Sequence, residues 1–558
     1  MQIIKNAFKI LFFVLPLNSI GQSTYLPEGS KEYHFIDRME ILNQHNTNLN
    51  YPTIKPYYRK YILQEASLFD SINNRSSLSE SDKYNLLSLY MNNVEWYTGN
   101  HDSFLSKKPL LKTLYVDKAN FYEVNTKDFF LAINPILNLR IGKEQDNDNS
   151  IYLNSRGITL RGRIANKIGF SSTIIDNQER GPIFFQQEVA DLRAVPGVGF
   201  YKAFKSNVNA QDYFDGRGYF TFNATKYIDF QFGYDKNFIG NGYRSLFLSN
   251  WGSSYLFAKI NTRIWKFNYQ NLFMELMPKY RDIGNNLLRK KYAAMHHLSI
   301  NVTKSLNIGL FEGVMFGRSD HFEFQYLNPI IFYRHIEGTI GSPDNAVAGI
   351  DFKVNVKKRA QFYGQFLLDE FILSKLKNDP TNWVNKFGIQ LGAKYIDAFG
   401  IKNLDLQVEM NRVRPFTYSH FDTINNYSHY NQPLAHPLGA NFQEWTGIIR
   451  YQPFPKWNFY ARSIYYYKGM DTANANFGGN IFKSYLTRLS DNGYEIGSGD
   501  KATCLNTVLN VSYEFRQNLF FELGLQNRNY KLASGYKNNS TSFSAGIRLN
   551  ICKREYDF

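Results

Sequence analysis

The chain has 558 residues, 64 basic and 48 acidic side chains for a formal charge of +16, 17% aromatics and 20% charged residues. A chain with 47 Phe and 40 Tyr can bury ample surface, which excludes disorder, and two Cys exclude a disulfide scaffold. A mean hydropathy of −0.41, with no run of about 20 apolar residues, excludes a helical membrane protein. What remains is an all-β or mixed protein with more aromatics than a soluble core needs.

Residues 1–22 read as a secretory signal peptide: Lys5 and Lys9 form a positive start, Ile10 to Leu17 a short apolar stretch, and Ser19 and Gly21 suit cleavage. No Cys stands directly after this apolar stretch, so a lipid anchor is not indicated. An exported chain whose Lys and Arg are scattered fits anionic outer-membrane lipid, lipopolysaccharide or acidic polysaccharide better than nucleic acid.

Residues 23–120 read as a small helical N-terminal domain, periplasmic or plug-like. Tyr57 to Ile72 has helical spacing. Ser77-Leu78-Ser79-Glu80 forms a capping box that opens a second helix running to Trp96. That helix places Tyr84, Leu87, Tyr90, Met91 and Val94 on one face.

From Lys127 the period changes to two. Leu404, Leu406, Val408 and Met410 alternate with Asp405, Gln407, Glu409 and Asn411; Leu519, Phe521, Leu523 and Leu525 alternate with Phe520, Glu522, Gly524 and Gln526. Strands of about ten residues with one apolar and one polar face are the signature of a transmembrane β-barrel with a wet lumen. The pattern predicts strands at 127–142, 150–164, 167–177, 214–225, 227–235, 254–263, 265–276, 293–303, 306–317, 346–357, 359–371, 385–396, 403–414, 443–453, 457–467, 502–515, 518–529 and 540–552. That is an even number, eighteen, as single-chain bacterial barrels require. Connections alternate strictly in length. Short ones fall at Ala165-Asn166, Lys226, Lys304-Ser305, Lys358, Phe454-Pro455-Lys456 and Arg516-Gln517; long ones span 178–213, 236–253, 277–292, 318–345, 372–384, 415–442 and 468–501. Short periplasmic turns and long outer loops place residues 121–558 in the outer membrane of a bacterial cell as a closed antiparallel barrel.

The aromatics then have a place. Trp457 and Phe459 at the turn end of one strand, and Tyr465 and Tyr467 at its loop end, share the outward parity and mark two interfacial girdles. The terminal Tyr556 and Phe558 resemble the assembly signal read by the barrel assembly machinery. Their parity is opposite to that of Ile551, so a bulge near Cys552–Arg554 is expected.

Little in the sequence points to catalysis. Cys504 and Cys552 should lie a membrane thickness apart, too far for a disulfide. His296 and His297 face opposite sides of a strand and cannot share a metal. There is no G-x-S-x-G elbow, and Gly240-Asn241-Gly242 without a βαβ unit says nothing about nucleotides. No catalytic residue, metal or cofactor is assigned. The lumen-facing charges are Arg161, Arg163, Asp405, Glu409, Arg462, Glu522, Arg528 and Arg548, either salt-bridged filler or the lining of a path for acidic saccharide. Tyr234–Ser254 is dense in Gly, Asn and aromatics, a composition suited to sugar, with Asn241, Tyr243, Arg244 and Trp251 as candidate polysaccharide-binding residues. The alternative is a hairpin folded back over the lumen.

Three stretches carry a family resemblance: His34-Phe35-Ile36-Asp37-Arg38-Met39-Glu40-Ile41 with Ile54-Lys55-Pro56-Tyr57-Tyr58-Arg59-Lys60; Asp235-Lys236-Asn237-Phe238-Ile239-Gly240-Asn241-Gly242-Tyr243-Arg244-Ser245-Leu246; and Tyr326-Leu327-Asn328-Pro329. Together and in this order they resemble the Wzi-type capsule-assembly outer-membrane proteins of Bacteroidetes, including their RemB-like gliding-motility branch. The resemblance implies an 18-stranded barrel with a helical periplasmic domain. It also implies a non-catalytic role in binding and attaching acidic or neutral surface polysaccharide, with a gliding or secretion apparatus as a partner. The competing reading is a porin or substrate-specific transport channel, which requires a continuous water-filled lumen.

Overall fold

A computed structural model describes residues 23–45, 53–72, 78–204, 209–278, 287–318, 321–330, 332–341 and 343–558. The signal-peptide stretch and Ser77 lie outside the described residues. Eighteen strands form the barrel wall: β1 (Phe129–Glu144), β2 (Ser150–Ile164), β3 (Ile168–Arg180), β4 (Gln211–Asn223), β5 (Ile228–Asp235), β6 (Tyr255–Ile264), β7 (Phe267–Leu276), β8 (Lys291–Asn301), β9 (Leu306–Phe316), β10 (Asn345–Val356), β11 (Ala360–Glu370), β12 (Lys386–Tyr395), β13 (Leu404–Val413), β14 (Phe442–Phe454), β15 (Trp457–Met470), β16 (Asp500–Arg516), β17 (Leu519–Leu532) and β18 (Lys537–Leu549). Each pairs antiparallel with its neighbours in chain order, and β18 closes on β1 from Ser542–Glu144 to Leu549–Leu137. Closure removes every sheet edge, so no backbone polar row faces lipid.

Period-two alternation positions the wall. Outward Leu509 and Leu523 are exposed, whereas inward Asn506 and Arg462 are buried among lumenal groups. Trp457, Phe459 and Tyr465 face outward, and Trp445 on β14 stacks on Tyr465 at 5.8 Å. The tight turns carry left-handed residue pairs, Ala165-Asn166 and Lys357-Lys358. Two positive-φ central residues suit the twist of the flanking strands. Strict alternation of connection length fails at the loop end, where 145–149 and 533–536 are short. There α1 (here Ile183–Leu192, of the 181–210 loop) covers the short hairpins: Ile183 N–H donates to Glu144, and Tyr536 and Asn538 donate to Gln187 at 3.0 Å.

Three helices occupy the turn end of the lumen: a first helix at Glu32–Asn43, a second at Arg59–Ile72 and a third at Glu80–Met91. The first was not anticipated, because its buried Phe35, Ile36, Met39 and Ile41 are interleaved with equally buried Glu32, Arg38 and Glu40. The third is capped by Ser79, which accepts from Asp82 N–H at 2.9 Å; the cap therefore sits two residues beyond the expected Ser77. This helix ends at Met91; of the expected face Tyr90, Met91 and Val94 are buried, with Leu86 and Leu89 beside them, while Tyr84 and Leu87 are only half-buried.

Two segments depart from a simple barrel. β18 stops at Leu549, Asn550 takes a left-handed conformation, and residues 551–558 turn into the lumen instead of continuing the wall. Tyr556 and Phe558 are therefore buried core residues, not outward residues of a bulged last strand, and Cys552 lies against the Glu28 carbonyl. The described segments 321–330 and 332–341 fold down the outer wall. Asn271, His296 and Glu312 form one outward-facing row across β7, β8 and β9. Polar groups on a lipid face are costly unless covered. Here Tyr333 stacks on His296 at 3.7 Å, and Glu312 accepts the Tyr333 and Arg334 N–H groups at 3.0 Å each.

Glu312→Ala removes the acceptor for both N–H groups and should weaken docking of this lobe by about 1–3 kcal/mol. The expected outcome is faster proteolytic cleavage within 321–340 in detergent, with the barrel itself still folded.

Candidate functional site

Chain enters the lumen from both ends, and the entering segments meet. From the turn end, Ile54–Lys55 pairs antiparallel with Phe238–Ile239, which comes from the loop end through the 236–254 segment. Gly240 N–H donates to the Thr53 carbonyl at 2.8 Å, and Thr53 Oγ1 donates to Asn241 Oδ1 at 3.2 Å. The loop hairpin anticipated for this segment thus folds deep inside the barrel rather than over its mouth.

Gly242 allows the next step. A Cβ there would lie 2.3 Å from Glu409 Oε2 and 2.9 Å from the Arg244 carbonyl oxygen, so a larger residue would push the Glu409 carboxylate off the backbone it holds. Glu409 on β13 then accepts Tyr243 N–H at 2.7 Å and Arg244 N–H at 3.0 Å. The Arg244 guanidinium lies between Glu444 of β14, at 3.5 Å, and Asp557 of the inturned tail, at 2.8 Å. Tyr243 donates to Asp557 at 2.6 Å and accepts from Arg462 at 2.7 Å; Arg462 also pairs with Glu555. Trp251 packs edge-on against Phe558 at 5.0 Å. Three of the four candidate sugar residues, Tyr243, Arg244 and Trp251, are thus gathered around residues 555–558, while Asn241 is turned to the plug. Arg244 and Asn241 are both about 5% exposed, so their polar groups are committed inside the protein. Burial works against the charged form of Asp557, but Arg244 and Arg462 outweigh it and hold the carboxyl down at about 2.

The remaining lumenal charges divide between plug and tail. Arg161 pairs with Glu95 at 3.1 Å, and Arg163 lies over Trp96 at 5.0 Å. Asp405 meets Arg38 and also His34, at 2.6 Å. Arg38 further bridges Asp82 and Asp397 at 3.2 and 3.1 Å, tying the first and third helices to the β12–β13 turn. Glu522 pairs with Arg548 at 2.8 Å; Arg528 lies over Phe184 and donates to the Phe558 carbonyl.

A different cluster faces outward at the loop end. Loops 371–385, 414–441 and 471–499 converge there. Tyr494 N–H donates to the Thr381 carbonyl, Asn382 donates to Asn492 at 2.7 Å, and Trp383 N–H donates to the Asp491 carbonyl. On this framework Trp383 stacks near Tyr485 at 4.9 Å, with Arg488 over the indole at 3.9 Å and Lys386 over Tyr485 at 4.6 Å. Phe421 and His420 complete the patch, and Phe421, Leu486 and Leu489 are exposed. The sequence reading missed this cluster. Its members come from three loops more than 30 residues apart, so only the fold brings them together.

No protein-family model and no curated protein sequence matches the chain. Among solved structures it is similar to Wzi of Escherichia coli, described as an outer-membrane protein involved in group 1 capsule assembly and a carbohydrate-binding β-barrel. The TM-score is 0.55 at 12% identity, over 95% of this chain and 100% of that one. It also overlaps OprD of Pseudomonas aeruginosa (TM-score 0.41, 10% identity, 75% of this chain and 94% of that one) and OccAB2 of Acinetobacter baumannii (0.42, 8%, 75% and 97%). The chain is an outer-membrane β-barrel. The Trp383 cluster lies at the loop end of the barrel, opposite the tight turns such as Ala165-Asn166.

Arg244→Met leaves Asp557 and Glu444 buried without their cation and should destabilise the folded barrel by about 3–5 kcal/mol. Adding Glu444→Leu should recover part of the loss, read as the temperature at which the folded form disappears on a heat-modifiability gel. The pH dependence has a defined sign. A carboxyl depressed in the folded state stabilises above its unfolded pKa, about 3.9, and loses that contribution as pH falls toward the folded value. The Asp557 contact should therefore persist at neutral pH and be lost between about pH 4 and about 2, so the Arg244→Met stability deficit should shrink across that window.

Proposed function

We propose that this barrel is a non-catalytic surface-polysaccharide-binding protein that holds glycan at its exterior mouth. The observation that carries this reading is the Trp383–Tyr485–Arg488 cluster on cross-braced outer loops, flanked by exposed Phe421, Leu486 and Leu489. Aromatic faces stack on pyranose rings, and a guanidinium binds hydroxyls or carboxylates. The basic balance of the chain favours an acidic glycan.

The segments folded into the lumen support the same reading. A transport channel needs a continuous aqueous path, whereas here the plug and the 236–254 segment pair inside the barrel. The likeness to Wzi supplies the barrel architecture, and that protein's description as carbohydrate-binding agrees with the outer cluster. On this proposal Asn241, Tyr243, Arg244 and Trp251 shape the site from below by fixing the loop framework. The bound glycan then serves attachment to the cell or gliding over a surface, with outer-membrane lipid around the wall. The helical domain faces the periplasm, available to an assembly or gliding apparatus.

The Trp383→Ala/Tyr485→Ala double variant should weaken glycan binding by tenfold or more, about 1.4 kcal/mol, while the barrel keeps its folded gel mobility. Binding of purified protein to extracted surface glycan measures this, together with retained glycan and colony spreading of a deletion strain complemented by either form. Unchanged binding, retention and spreading would refute the reading.

A further inference from the structure

Lysines and arginines that are scattered in the sequence are gathered by the fold into a ring at the turn end of the barrel. Eight tight connections lie there, from β2–β3 to β16–β17, and each presents at least one exposed cation. The β2–β3, β8–β9, β12–β13 and β14–β15 turns expose Lys167, Lys304, Lys402 and Lys456, and the β10–β11 turn exposes Lys357, Lys358 and Arg359. In the other three the cation is set over an exposed ring. Lys226 lies over Tyr227 at 4.7 Å, Lys266 over Trp265 at 5.7 Å, and Arg516, the last residue of β16, over Phe515 at 5.9 Å.

The ring has no counter-charge of its own among the described residues. The eight turns contain one acid, Asp397, and Arg38 holds it at 3.1 Å. The turn cations form no ion pair among the described residues, whereas cations at the loop end are answered: Arg318 by Asp344 at 2.8 Å, Lys483 by Asp471 at 3.1 Å and Arg488 by Asp491 at 2.8 Å. Residues 80–128, which reach the same end, do not supply the missing charge. Exposed Glu80 is already paired with Lys83 at 2.8 Å, and exposed Asp102 and Asp128 are outnumbered by Lys107, Lys108, Lys112, Lys118 and Lys127. Turn geometry does not ask for lysine either. Lys357 and Lys358 have φ of 51° and 53°, a left-handed region where Asn, Asp or Gly costs less. The height of the ring is set by its neighbours. Trp265, Phe399 and Phe454 are exposed on the turns themselves, and outward Trp457 and Phe459 start the strand beyond one of them. Leu110 and Leu111 are likewise exposed between Lys108 and Lys112, in a hairpin bridged at Leu105–Asp117. Aromatic rings and snorkelling Lys or Arg side chains sit where hydrocarbon meets headgroups. Unanswered positive charge at that height is the complement of headgroup phosphate.

We propose that the turn-end rim binds the anionic phospholipids of the leaflet around it, each Lys or Arg meeting a headgroup phosphodiester and the aromatic beside it lying against the acyl chains. With the turns on the periplasmic side, as in bacterial barrels generally, that leaflet is the inner one of the outer membrane. The ring lies at the opposite end from the Trp383 cluster and does not depend on that cluster binding glycan.

The test is native mass spectrometry of the purified full-length protein released from detergent, titrated with phosphatidylglycerol and separately with zwitterionic phosphatidylethanolamine. The expected result is several phosphatidylglycerol adducts at concentrations roughly tenfold below those that phosphatidylethanolamine needs. Lys226→Gln/Lys266→Gln/Lys304→Gln/Lys358→Gln/Lys456→Gln removes exposed turn charge without touching the lumen, and should raise the phosphatidylglycerol concentration needed by roughly tenfold. Lys202→Gln/Lys375→Gln/Lys377→Gln/Lys531→Gln/Lys537→Gln removes equal charge from exposed positions at the loop end and should leave the preference intact. Trp383→Ala/Tyr485→Ala should leave it intact as well. Folded gel mobility is checked for every variant, and if the turn variant fails to fold, Lys304→Gln/Lys358→Gln/Lys456→Gln decides, with roughly a threefold rise expected. Equal uptake of the two lipids, an unchanged preference in the turn variant, or an equal loss in the loop-end variant would each overturn the proposal.

Discussion

A closed sheet of eighteen strands has no free edge, but it encloses a lumen too wide for its own inward side chains to fill. Every other feature of the molecule answers that constraint. Barrels of this size either stay open as channels or recruit other parts of the chain. This chain recruits three: the helices at 32–43, 59–72 and 80–91 from the turn end, the 236–254 and 414–441 segments from the loop end, and residues 551–558 from beyond the last strand.

Filling a polar lumen means burying charge, and buried charge must be matched. Lys353 and Lys394 pair with Glu40 and Asp37 of the first helix, and three arginines each join separate pieces of chain. Arg38 holds two helices to the β12–β13 turn, Arg244 holds an inturned loop to β14 and the tail, and Arg462 holds the wall to the tail. A forked guanidinium can serve two carboxylates at once, which a lysine cannot do with the same geometry. The lumenal charge is therefore mostly architecture. It frees the outer loops to be rigid, because the segments beneath them are locked, and a rigid loop surface binds with less ordering cost.

The wall was legible in the sequence because its signal is local. Alternation of Leu, Val and Phe with Asp, Gln and Glu needs only neighbouring residues, and all eighteen strands fall within a few residues of their expected places. Opposite orientations for His296 and His297 follow from the same periodicity, and the outward girdle of Trp457, Phe459 and Tyr465 was visible for the same reason. What was not legible depends on partners distant in sequence. The helix at 32–43 is buried on both its polar and apolar sides, so no amphipathic stripe announces it. The tail keeps β-like alternation through Ile551, yet its charged Arg554, Glu555 and Asp557 are drawn inward by Glu179, Arg462 and Arg244. The candidate sugar residues are neighbours in sequence, whereas their partners Glu409, Glu444 and Asp557 are distant. The exterior aromatic cluster needs three loops brought together, which no spacing rule encodes.

The central claim is that the lumen is structurally occluded and that the molecule works by binding at its surface. Planar-bilayer recording of the purified full-length protein tests it most directly. The account predicts no steady single-channel current of porin size across a range of voltages. Stable, large, reproducible conductance steps from the intact protein would contradict it and return the barrel to the class of transport channels.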